Sequence, residues 1–389
     1  ECTMENFEYQ AGTKVLFGKD QIENLPNILK TYGTRVLLCY GGSSIKRIGL
    51  YDKIHELLKD CEVFELSGIE PNPKISSVKK GAELCYEHQI QVVLAVGGGS
   101  VIDCAKVISA AVFYQGEPWQ MVAEAAPTEK ALPLVTVLTL AATGSEYDAG
   151  GVISNPATNE KIGYDSELVR PKVSILDPTY TFSVSPRQTA AGASDILSHL
   201  LEQYFAPKNT YMTDQLLTGA IKTVLRYAPI AVRAPENYEA RGELMWLSSL
   251  ACNGILSTGS AYGGWSCHAI EHELSAFYDV THGIGLAIVT PRWMRYVLNE
   301  NTVARFAQYG TEVWGIDASL APMEIAEQAI AKTENFFREL GDPMTLTELG
   351  IGSEHFAEMA EHAVAANFLQ YAYVPLNAED VKQILEMCL

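Results

Sequence analysis

Four residues in the second half of the chain have the types and the spacing to bind one divalent metal ion. Asp195 and His199 are four positions apart in the run 188–205, which has helical periodicity, so their side chains lie on one helix face. His268 and His282 bracket the stretch HAIEHELSAFYDVTH. One carboxylate and three imidazoles suit Fe²⁺, Zn²⁺, Co²⁺ or Mn²⁺ better than Ca²⁺, Mg²⁺ or Cu⁺. An ion held with one position open polarises a carbonyl or lowers the pKa of an alcohol.

Further imidazole and acidic groups lie close to these four in the sequence. His272 follows His268 by four positions and shares its helix face. Because four protein ligands already crowd an ion, we expect His272 to be a proton relay or a hydrogen-bonding wall and not a fifth ligand. Glu202, Glu271 and Glu273 are expected to be solvated or to contact the ligands from behind, and not to bind the ion themselves.

A glycine-rich turn upstream has the composition of a phosphate-binding site. Gly97-Gly98-Gly99-Ser100 follows the apolar run 92–96, although the G-x-G-x-x-G fingerprint is not present. Glycine lets the backbone approach a pyrophosphate without a Cβ, and the helix that follows offers N–H groups and a positive dipole end. The alternative is that Ser100 and Asp103 only cap this helix and that Lys106 is a solvated surface charge. We expect capping for Asp103.

A second loop, TLAATGSE at 139–146, follows the apolar run 134–138. It places two threonines, a glycine and a serine at the carboxyl end of a predicted strand, where open α/β sheets bind ligands. Taken alone, an ordinary hydroxyl-rich turn is the better interpretation.

A third loop bears on the choice of cofactor. Gly41-Gly42-Ser43-Ser44 follows the predicted strand 36–40, and Lys46 and Arg47 come just beyond it. NAD sites usually place an acid after this strand to bind the ribose 2′-hydroxyl, whereas the first acid here is Asp52. Small residues with two cations admit a 2′-phosphate, which favours NADP over NAD. The alternative is that the two cations are exposed surface charges.

The order of elements predicts two domains. Strand candidates alternate with helical runs in the first half, which indicates a parallel sheet covered by helices; the candidates are 14–17, 36–40, 63–66, 92–96, 134–138, 151–154 and 173–176. After residue 187 only helical patterns follow. We therefore expect an α/β dinucleotide-binding domain at 1–187 and an all-helical metal-binding domain at 188–389, with the site in the cleft between them.

The composition excludes several classes of partner. The net charge is -19 over 389 residues, which disfavours nucleic acid and anionic membranes because both attract clustered Lys and Arg. No run reaches the length of a membrane span, and no signal peptide is visible. The eight cysteines are scattered without a CxxC pair, as expected of reduced thiols in a cytoplasmic protein.

Taken together, these motifs resemble the iron-containing alcohol dehydrogenase family, and within it the NADP-dependent butanol dehydrogenase and broad aldehyde reductase branch. The resemblance covers nearly the whole chain and is carried by GIEPNP (68–73), VGGGSVIDCAK (96–106), TLAATGSE (139–146), DPTYTFSVSPRQTAAGASDILSHLLEQYF (177–205) and CHAIEHELSAFYDVTHGIGLAIVTP (267–291). It implies a dehydroquinate synthase-like fold with an N-terminal dinucleotide-binding domain, a helical C-terminal domain and a divalent metal, most often Fe²⁺, with Zn²⁺ as the alternative. It also implies a homodimer.

The resemblance assigns roles to residues of this chain. The metal ligands fall on Asp195, His199, His268 and His282, and the pyrophosphate turn falls on Gly97, Gly98, Gly99 and Ser100. Adenine-side and nicotinamide-side contacts map in part to Thr139, Thr143 and Ser145, and the 2′-phosphate region maps to Gly41, Gly42 and Ser43. Lys161 matches a lysine that faces the cofactor or the active site. Leu140 and Ala142 replace the usual threonine and glycine, a departure that affects the loop and not the metal site.

The expected reaction is hydride transfer between NADPH and a small aldehyde, or the reverse oxidation of a primary alcohol, with His272, a water or the ribose hydroxyl delivering the proton. Three other interpretations stay open. One is a non-redox enzyme that resembles dehydroquinate synthase, although 188–300 is poor in the cations that its substrate requires. The others are a metallohydrolase without a nucleotide and a non-catalytic protein that binds metal or nucleotide.

Overall fold

The computed structural model describes residues 4–389, and its first half is built on a six-stranded parallel sheet. The strands of the chain are β1 (Lys14–Phe17), β2 (Arg35–Tyr40), β3 (Glu62–Leu66), β4 (Val92–Gly97), β5 (Leu134–Leu138), β6 (Gly150–Asn155), β7 (Glu160–Asp165) and β8 (Val173–Leu176). Their order in the large sheet is β1-β8-β5-β4-β2-β3, and every neighbouring pair is parallel. The predicted α/β architecture is confirmed.

Helices cover both faces of this sheet. They are α1 (Leu25–Lys30), α2 (Ser44–Arg47), α3 (Leu50–Leu57), α4 (Ile75–Glu87), α5 (Gly99–Ala111) and α6 (Pro118–Ala123). Along β2, Leu37 and Cys39 belong to one apolar core while Val36, Leu38 and Tyr40 belong to a second one. Successive side chains of a strand point to opposite faces, so β2 is buried on both sides, which explains its uninterrupted apolar sequence.

Two strands form a separate antiparallel hairpin. β6 pairs with β7 from Gly150↔Asp165 to Asn155↔Glu160. The sequence predicted β6 as part of the parallel sheet and did not predict β7, so this part of the prediction is wrong. Lys161 occupies a buried position where strands usually carry an apolar residue, and Gly163 interrupts the rest of the pattern, which hid the strand.

The second half of the chain is helical. Its helices are α7 (Pro186–Tyr204), α8 (Tyr211–Arg233), α9 (Tyr238–Ala251), α10 (Ser266–Tyr278), α11 (His282–Val297), α12 (Val303–Glu312), α13 (Pro322–Leu340), α14 (Phe356–Ala366) and α15 (Ala378–Met387). α7 packs against α8 and α11 and is buried along almost its whole length. Its start is well defined, because Pro186 occupies the first turn and the Ser185 hydroxyl accepts the N–H of Gln188. No helix within residues 4–389 is long and apolar enough to cross a bilayer.

The chain divides into two compact units that are not continuous in sequence. The sheet unit comprises 10–184 together with 235–253, which contains α9. The helical unit comprises the remaining described residues, 4–9, 185–234 and 254–389. The division into domains at 1–187 and 188–389 stays a prediction. In the packing of the chain, α9 groups with the sheet unit although it lies in the second half of the sequence. The seven cysteines in the described part are free thiols, and Cys2 lies outside it.

Candidate metal centre and nucleotide-binding loops

The four residues predicted to bind a metal lie together in the helical unit. Their ligand atoms are all within 4.8 Å of one another. The Asp195 Oδ1 atom is the common centre, at 3.1 Å from His199 Nε2, 3.5 Å from His282 Nε2 and 3.7 Å from His268 Nε2. Two of them come from one face of α7, one from the first turn of α10 and one from the first residue of α11. The i, i+4 spacing seen in the sequence thus produces the geometry that it predicts.

The buried atoms of this cluster match the requirements of a cation. Within residues 4–389, Asp195 Oδ1 and His268 Nε2, which face each other in this cluster, are buried without a hydrogen-bond partner. An uncompensated polar atom in the interior costs about 1–3 kcal/mol, so two that face each other call for a ligand. One carboxylate and three imidazoles are the donor set of borderline divalent ions such as Fe²⁺ and Zn²⁺. The residues present therefore fit a divalent metal.

The cluster also couples the protonation of its members. Burial disfavours the Asp195 carboxylate, but the surrounding imidazoles outweigh burial and hold its pKa below the ordinary value. Burial lowers the pKa of His199 to about 3. Burial acts in the same direction on His268, yet the nearby Asp195 and Glu202 carboxylates prevail and raise the pKa of His268 to about 9. A carboxylate that stays ionised and a neutral His199 are the protonation states that metal binding requires.

His272 lies at the edge of this cluster. Its ring centroid is 6.3 Å from that of His268 and 5.7 Å from that of His282, and its side chain is partly exposed. It is therefore near the candidate ligands without joining them around Asp195. Trp265 also borders the cluster, with its ring centroid 5.0 Å from that of His268 and 5.6 Å from that of His199. Its backbone is left-handed, with φ 49°, which is rare for a bulky residue and typical of functional sites.

The three predicted nucleotide-binding loops leave adjacent strands at one edge of the sheet. The loop 41–44 follows β2, the turn 97–100 follows β4, and the loop 139–146 follows β5. The strand order reverses between β2 and β4, and nucleotides bind at such switch points in open α/β sheets. Gly99 begins α5, and a Cβ on it would lie 2.2 Å from Thr143 Oγ1. The turn 97–100 and the loop 139–146 are therefore in contact. The glycine thus permits a close approach between these loops.

The loop 41–44 is open to solvent. A Cβ on Gly42 would meet no atom within 4 Å, and Ser43 is exposed. The Arg47 guanidinium donates to Ser43 Oγ at 2.6 Å. Lys46 lies over the rings of Tyr40 and Tyr51, at 5.6 Å and 4.7 Å. Both cations are thus near the loop where a 2′-phosphate is predicted.

The loop 139–146 and the residues after it are held by buried polar groups. Asp103 accepts the Ser145 hydroxyl at 2.5 Å and the Val152 N–H at 3.0 Å. The prediction that Asp103 caps α5 is wrong, because Gly98 occupies the N-cap position and Asp103 lies beyond it. Burial raises the pKa of Asp103 to about 6. The Ser145 hydroxyl, predicted to contact the cofactor, is buried against this carboxyl group.

Lys106 is fully buried, so its interpretation as a solvated surface charge is wrong. Its ammonium donates to Asp148 Oδ1 at 2.6 Å and to the Gly150 carbonyl at 2.7 Å. Glu146 is buried and accepts the Ser249 hydroxyl of α9 at 2.6 Å. Burial raises the pKa of Glu146 to about 7. The chain segment after β5 is therefore fixed by α5 on one side and by α9 on the other.

Lys161 lies on β7, where its side chain is largely buried. Its ammonium donates to Asn72 Oδ1 at 3.1 Å, and Asn72 itself has a left-handed backbone with φ 50°. The structure thus places Lys161 within the sheet unit on the hairpin, next to the segment GIEPNP.

Sequence reasoning left the role of two carboxylates open. Glu202 and Glu271 contact His268 and His282 and are almost completely buried. The signal was available: Asp195, His199 and Glu202 have the i, i+4, i+7 spacing of one helix face, and Glu271 follows His268 by three positions.

Known proteins resemble this chain over its whole length. It is 50% identical over 387 residues to NADH-dependent butanol dehydrogenase A of Clostridium acetobutylicum, with 98% of this chain and 99% of that one covered. It is 38% identical over 353 residues to NADPH-dependent aldehyde reductase YqhD of Escherichia coli, with 90% of each chain covered. The crystal structure of NADH-dependent butanol dehydrogenase A from Thermotoga maritima matches with a TM-score of 0.94 at 37% identity, covering 100% of both chains.

Two family models account for both halves of the sequence. Iron-containing alcohol dehydrogenase matches residues 12–178, and the C-terminal model of the Fe-containing alcohol dehydrogenase family matches residues 189–389. The sheet topology, the helical half and the clustered Asp195, His199, His268 and His282 are consistent with these matches. The chain belongs to the iron-containing alcohol dehydrogenase family.

Proposed function

We propose that this chain is a metal-dependent oxidoreductase that transfers hydride between a nicotinamide cofactor and a small aldehyde or primary alcohol. The observation that carries the proposal is the convergence of Asp195, His199, His268 and His282 within 4.8 Å in a chain of this family. The relatives' names, butanol dehydrogenase and aldehyde reductase, support alcohols and aldehydes as the substrate class.

The chain's own residues would divide the chemistry as follows. Asp195 and the three histidines hold a divalent ion, which supplies Lewis acidity to the substrate oxygen, while the nicotinamide supplies the hydride. His272, partly exposed beside His268 and His282, holds the proton that the reduced oxygen takes up. In the sheet unit, the turn 97–100 binds the pyrophosphate at the N-terminus of α5, and Thr139 and Thr143 border the nucleotide, while Ser145 holds the loop in place through its hydrogen bond to Asp103. Lys161 contributes a positive charge toward the cofactor.

We propose NADP(H) as the preferred cofactor. The loop 41–44 after β2 carries no acid, its glycines leave space, and Arg47 contacts Ser43. An acid at this position would bind a ribose hydroxyl and repel a 2′-phosphate, whereas a cation attracts the phosphate. The relatives' names include both NADH-dependent and NADPH-dependent enzymes, so the preference rests on the residues of this loop. Fe²⁺ is the proposed ion, with Zn²⁺ as the alternative for the same ligand set.

The test is an assay of a panel of aldehydes with NADPH and NADH, on chelated protein and on protein reloaded with Fe²⁺ or Zn²⁺. We expect turnover of short aldehydes that is lost on chelation, restored by metal and faster with NADPH. Tryptophan quenching by NADPH without aldehyde turnover would favour a non-catalytic binder. A protein that neither binds NADPH nor reduces aldehydes would favour a metallohydrolase, and cyclisation of a phosphorylated, carboxylated substrate would favour the dehydroquinate synthase-like alternative.

We also propose that the protein is a cytoplasmic homodimer. The dimer is proposed from the family resemblance. The cytoplasmic location is proposed from the scattered free cysteines. Light scattering in solution should return twice the chain mass of 42.5 kDa. A mass equal to one chain would contradict the dimer.

A further inference from the structure

Two buried glutamates lie behind two of the candidate metal ligands. Glu202 Oε2 is 3.1 Å from His268 Nδ1, and Glu271 Oε2 contacts His282 Nδ1. Glu202 is 5% exposed and Glu271 is 0% exposed. In each ring the other nitrogen, Nε2, faces Asp195 Oδ1. Each imidazole therefore lies between a glutamate on one side and the candidate ion site on the other.

This arrangement fixes which nitrogen is available to a metal. A carboxylate can only accept a hydrogen bond, so Nδ1 of each ring carries a proton, and the neutral ring that metal binding requires then presents its lone pair at Nε2. We propose that Glu202 and Glu271 are positioning residues that hold His268 and His282 in the metal-binding tautomer and orientation. This inference rests on the proposed metal site and assigns new roles to residues outside its ligand set.

Glu202 is built into the start of α10. Its carboxylate accepts the backbone N–H of Cys267 at 3.1 Å and that of His268 at 3.0 Å, in addition to the His268 ring. The first N–H groups of a helix have no partner within the helix, and its N-terminus favours a negative charge. Trp265, the residue before α10, offers no side-chain cap to this end. The Glu202 carboxylate of α7 therefore fixes both the N-terminus of α10 and the ring of His268.

Glu271 occupies a space that α11 leaves for it. Its Oε1 atom accepts the Ser275 hydroxyl at 2.5 Å, which leaves Oε2 directed at His282. Gly285 on α11 has no side chain, and a Cβ there would lie 2.7 Å from Glu271 Cγ and 2.9 Å from its Oε1. Real Cβ atoms do not approach other atoms so closely, so any larger residue at 285 would displace the carboxylate. The stretch after His282 thus accommodates the glutamate that holds it.

The proposal is tested by metal affinity, which does not depend on turnover. The variants are Glu202→Gln, in which one end of the side chain becomes an amide NH₂ that faces a backbone N–H donor, and Glu271→Leu, which removes the acceptor of His282 Nδ1. We expect the dissociation constant for Zn²⁺, measured by competition with a chromophoric chelator, to rise about 10- to 100-fold in each variant. The absorption bands of the Co²⁺-loaded protein should change as the imidazoles reorient. Gly285→Ala should weaken Zn²⁺ binding in the same direction.

Glu273→Gln is the matched control. Glu273 lies on α10 like Glu271, is 5% exposed, and pairs with His362, which is not a candidate ligand, at 3.6 Å. Its variant should bind Zn²⁺ within about twofold of the parent protein. Far-ultraviolet circular dichroism checks that all variants keep their helices.

A measurement on the unaltered protein guards against variants that fail to fold. Nitrogen-15 spectra of the histidine-labelled, Zn²⁺-loaded protein should show His268 and His282 protonated at Nδ1 and coordinated through Nε2. Coordination through Nδ1, or Zn²⁺ affinities unchanged in both Glu202→Gln and Glu271→Leu, would overturn the positioning roles. If the parent protein binds no divalent ion, the proposed metal site itself fails, which is a distinguishable result.

Discussion

Replacing Lys106 with methionine should destabilise the sheet unit and disturb its nucleotide loops. The side chain is completely buried, and its ammonium donates to Asp148 Oδ1 and to the Gly150 carbonyl. Methionine has a similar length but no charge and no donor, so both acceptors lose their partner. Removing one partner of a buried ion pair costs about 3–5 kcal/mol. Since the Asp148 side chain keeps 21% exposure, water solvates it in part, and we expect a loss of about 2–3 kcal/mol.

This loss is measurable as a shift in melting temperature. Near the midpoint, 1 kcal/mol corresponds to roughly 2–4 °C for units of this size, so Tm should fall by about 4–12 °C. Because Asp148 lies two residues after the loop 139–146, KM for NADPH should also rise. Differential scanning calorimetry and steady-state kinetics are the assays.

Two further variants make the test specific to the buried pair. Lys79→Met removes an exposed cation, 52% accessible and 3.2 Å from Glu117, and should cost less than about 1 kcal/mol. Adding Asp148→Asn to Lys106→Met should recover part of the lost stability, because the unpaired charge is then removed. If Lys106→Met melts within about 1 °C of the parent protein, the reasoning from burial is refuted.

The remaining predictions concern pH, cofactor choice and metal binding. Burial raises the pKa of Glu146 to about 7, so the stability that this group contributes is fully present below its ordinary value of 4.5 and is lost as pH rises through about 7. Glu146→Gln, whose amide oxygen can still accept from Ser249, should flatten the fall of Tm between about pH 5 and pH 8; a slope equal to the parent's would contradict this. Gly42→Asp has space for its side chain and should lower the ratio of kcat/KM for NADPH over NADH by about tenfold or more, whereas the uncharged Gly42→Asn should change it little; equal ratios in the two variants would exclude charge as the cause. His268→Ala should abolish turnover and lower the content of bound metal while circular dichroism stays unchanged, and full activity would remove His268 from the ligand set.

The fold was predictable where its signals are local. Apolar runs followed by glycine or hydroxyl residues predict the buried strands β2, β4 and β5, and these signals need no knowledge of the rest of the chain. β7 was not predicted because Lys161 and Gly163 interrupt its apolar alternation. It is a strand because it pairs with β6. The grouping of α9 with the sheet unit was also invisible, because it depends on contacts with residues distant in sequence.

The candidate metal site shows the same division. Asp195 and His199 were paired by helical spacing alone, whereas placing His268 and His282 beside them required the fold or a family resemblance. Lys106 could not be assigned from sequence, because its partner Asp148 lies 42 positions away and only packing brings the two together. Glu202 had the correct spacing, yet its task of capping α10 could not be read from α7.

The order of synthesis has a consequence for the way this protein matures. The sheet unit lacks one of its segments until residue 253 has been made. That segment, 235–253, is synthesised only after residues 185–234, which belong to the helical unit. A nascent chain that stops at residue 184 has Glu146 without the Ser249 hydroxyl that it meets in the finished protein. Premature termination or proteolysis between the two parts would therefore leave an incomplete β-rich fragment, a natural target for chaperones and quality-control proteases.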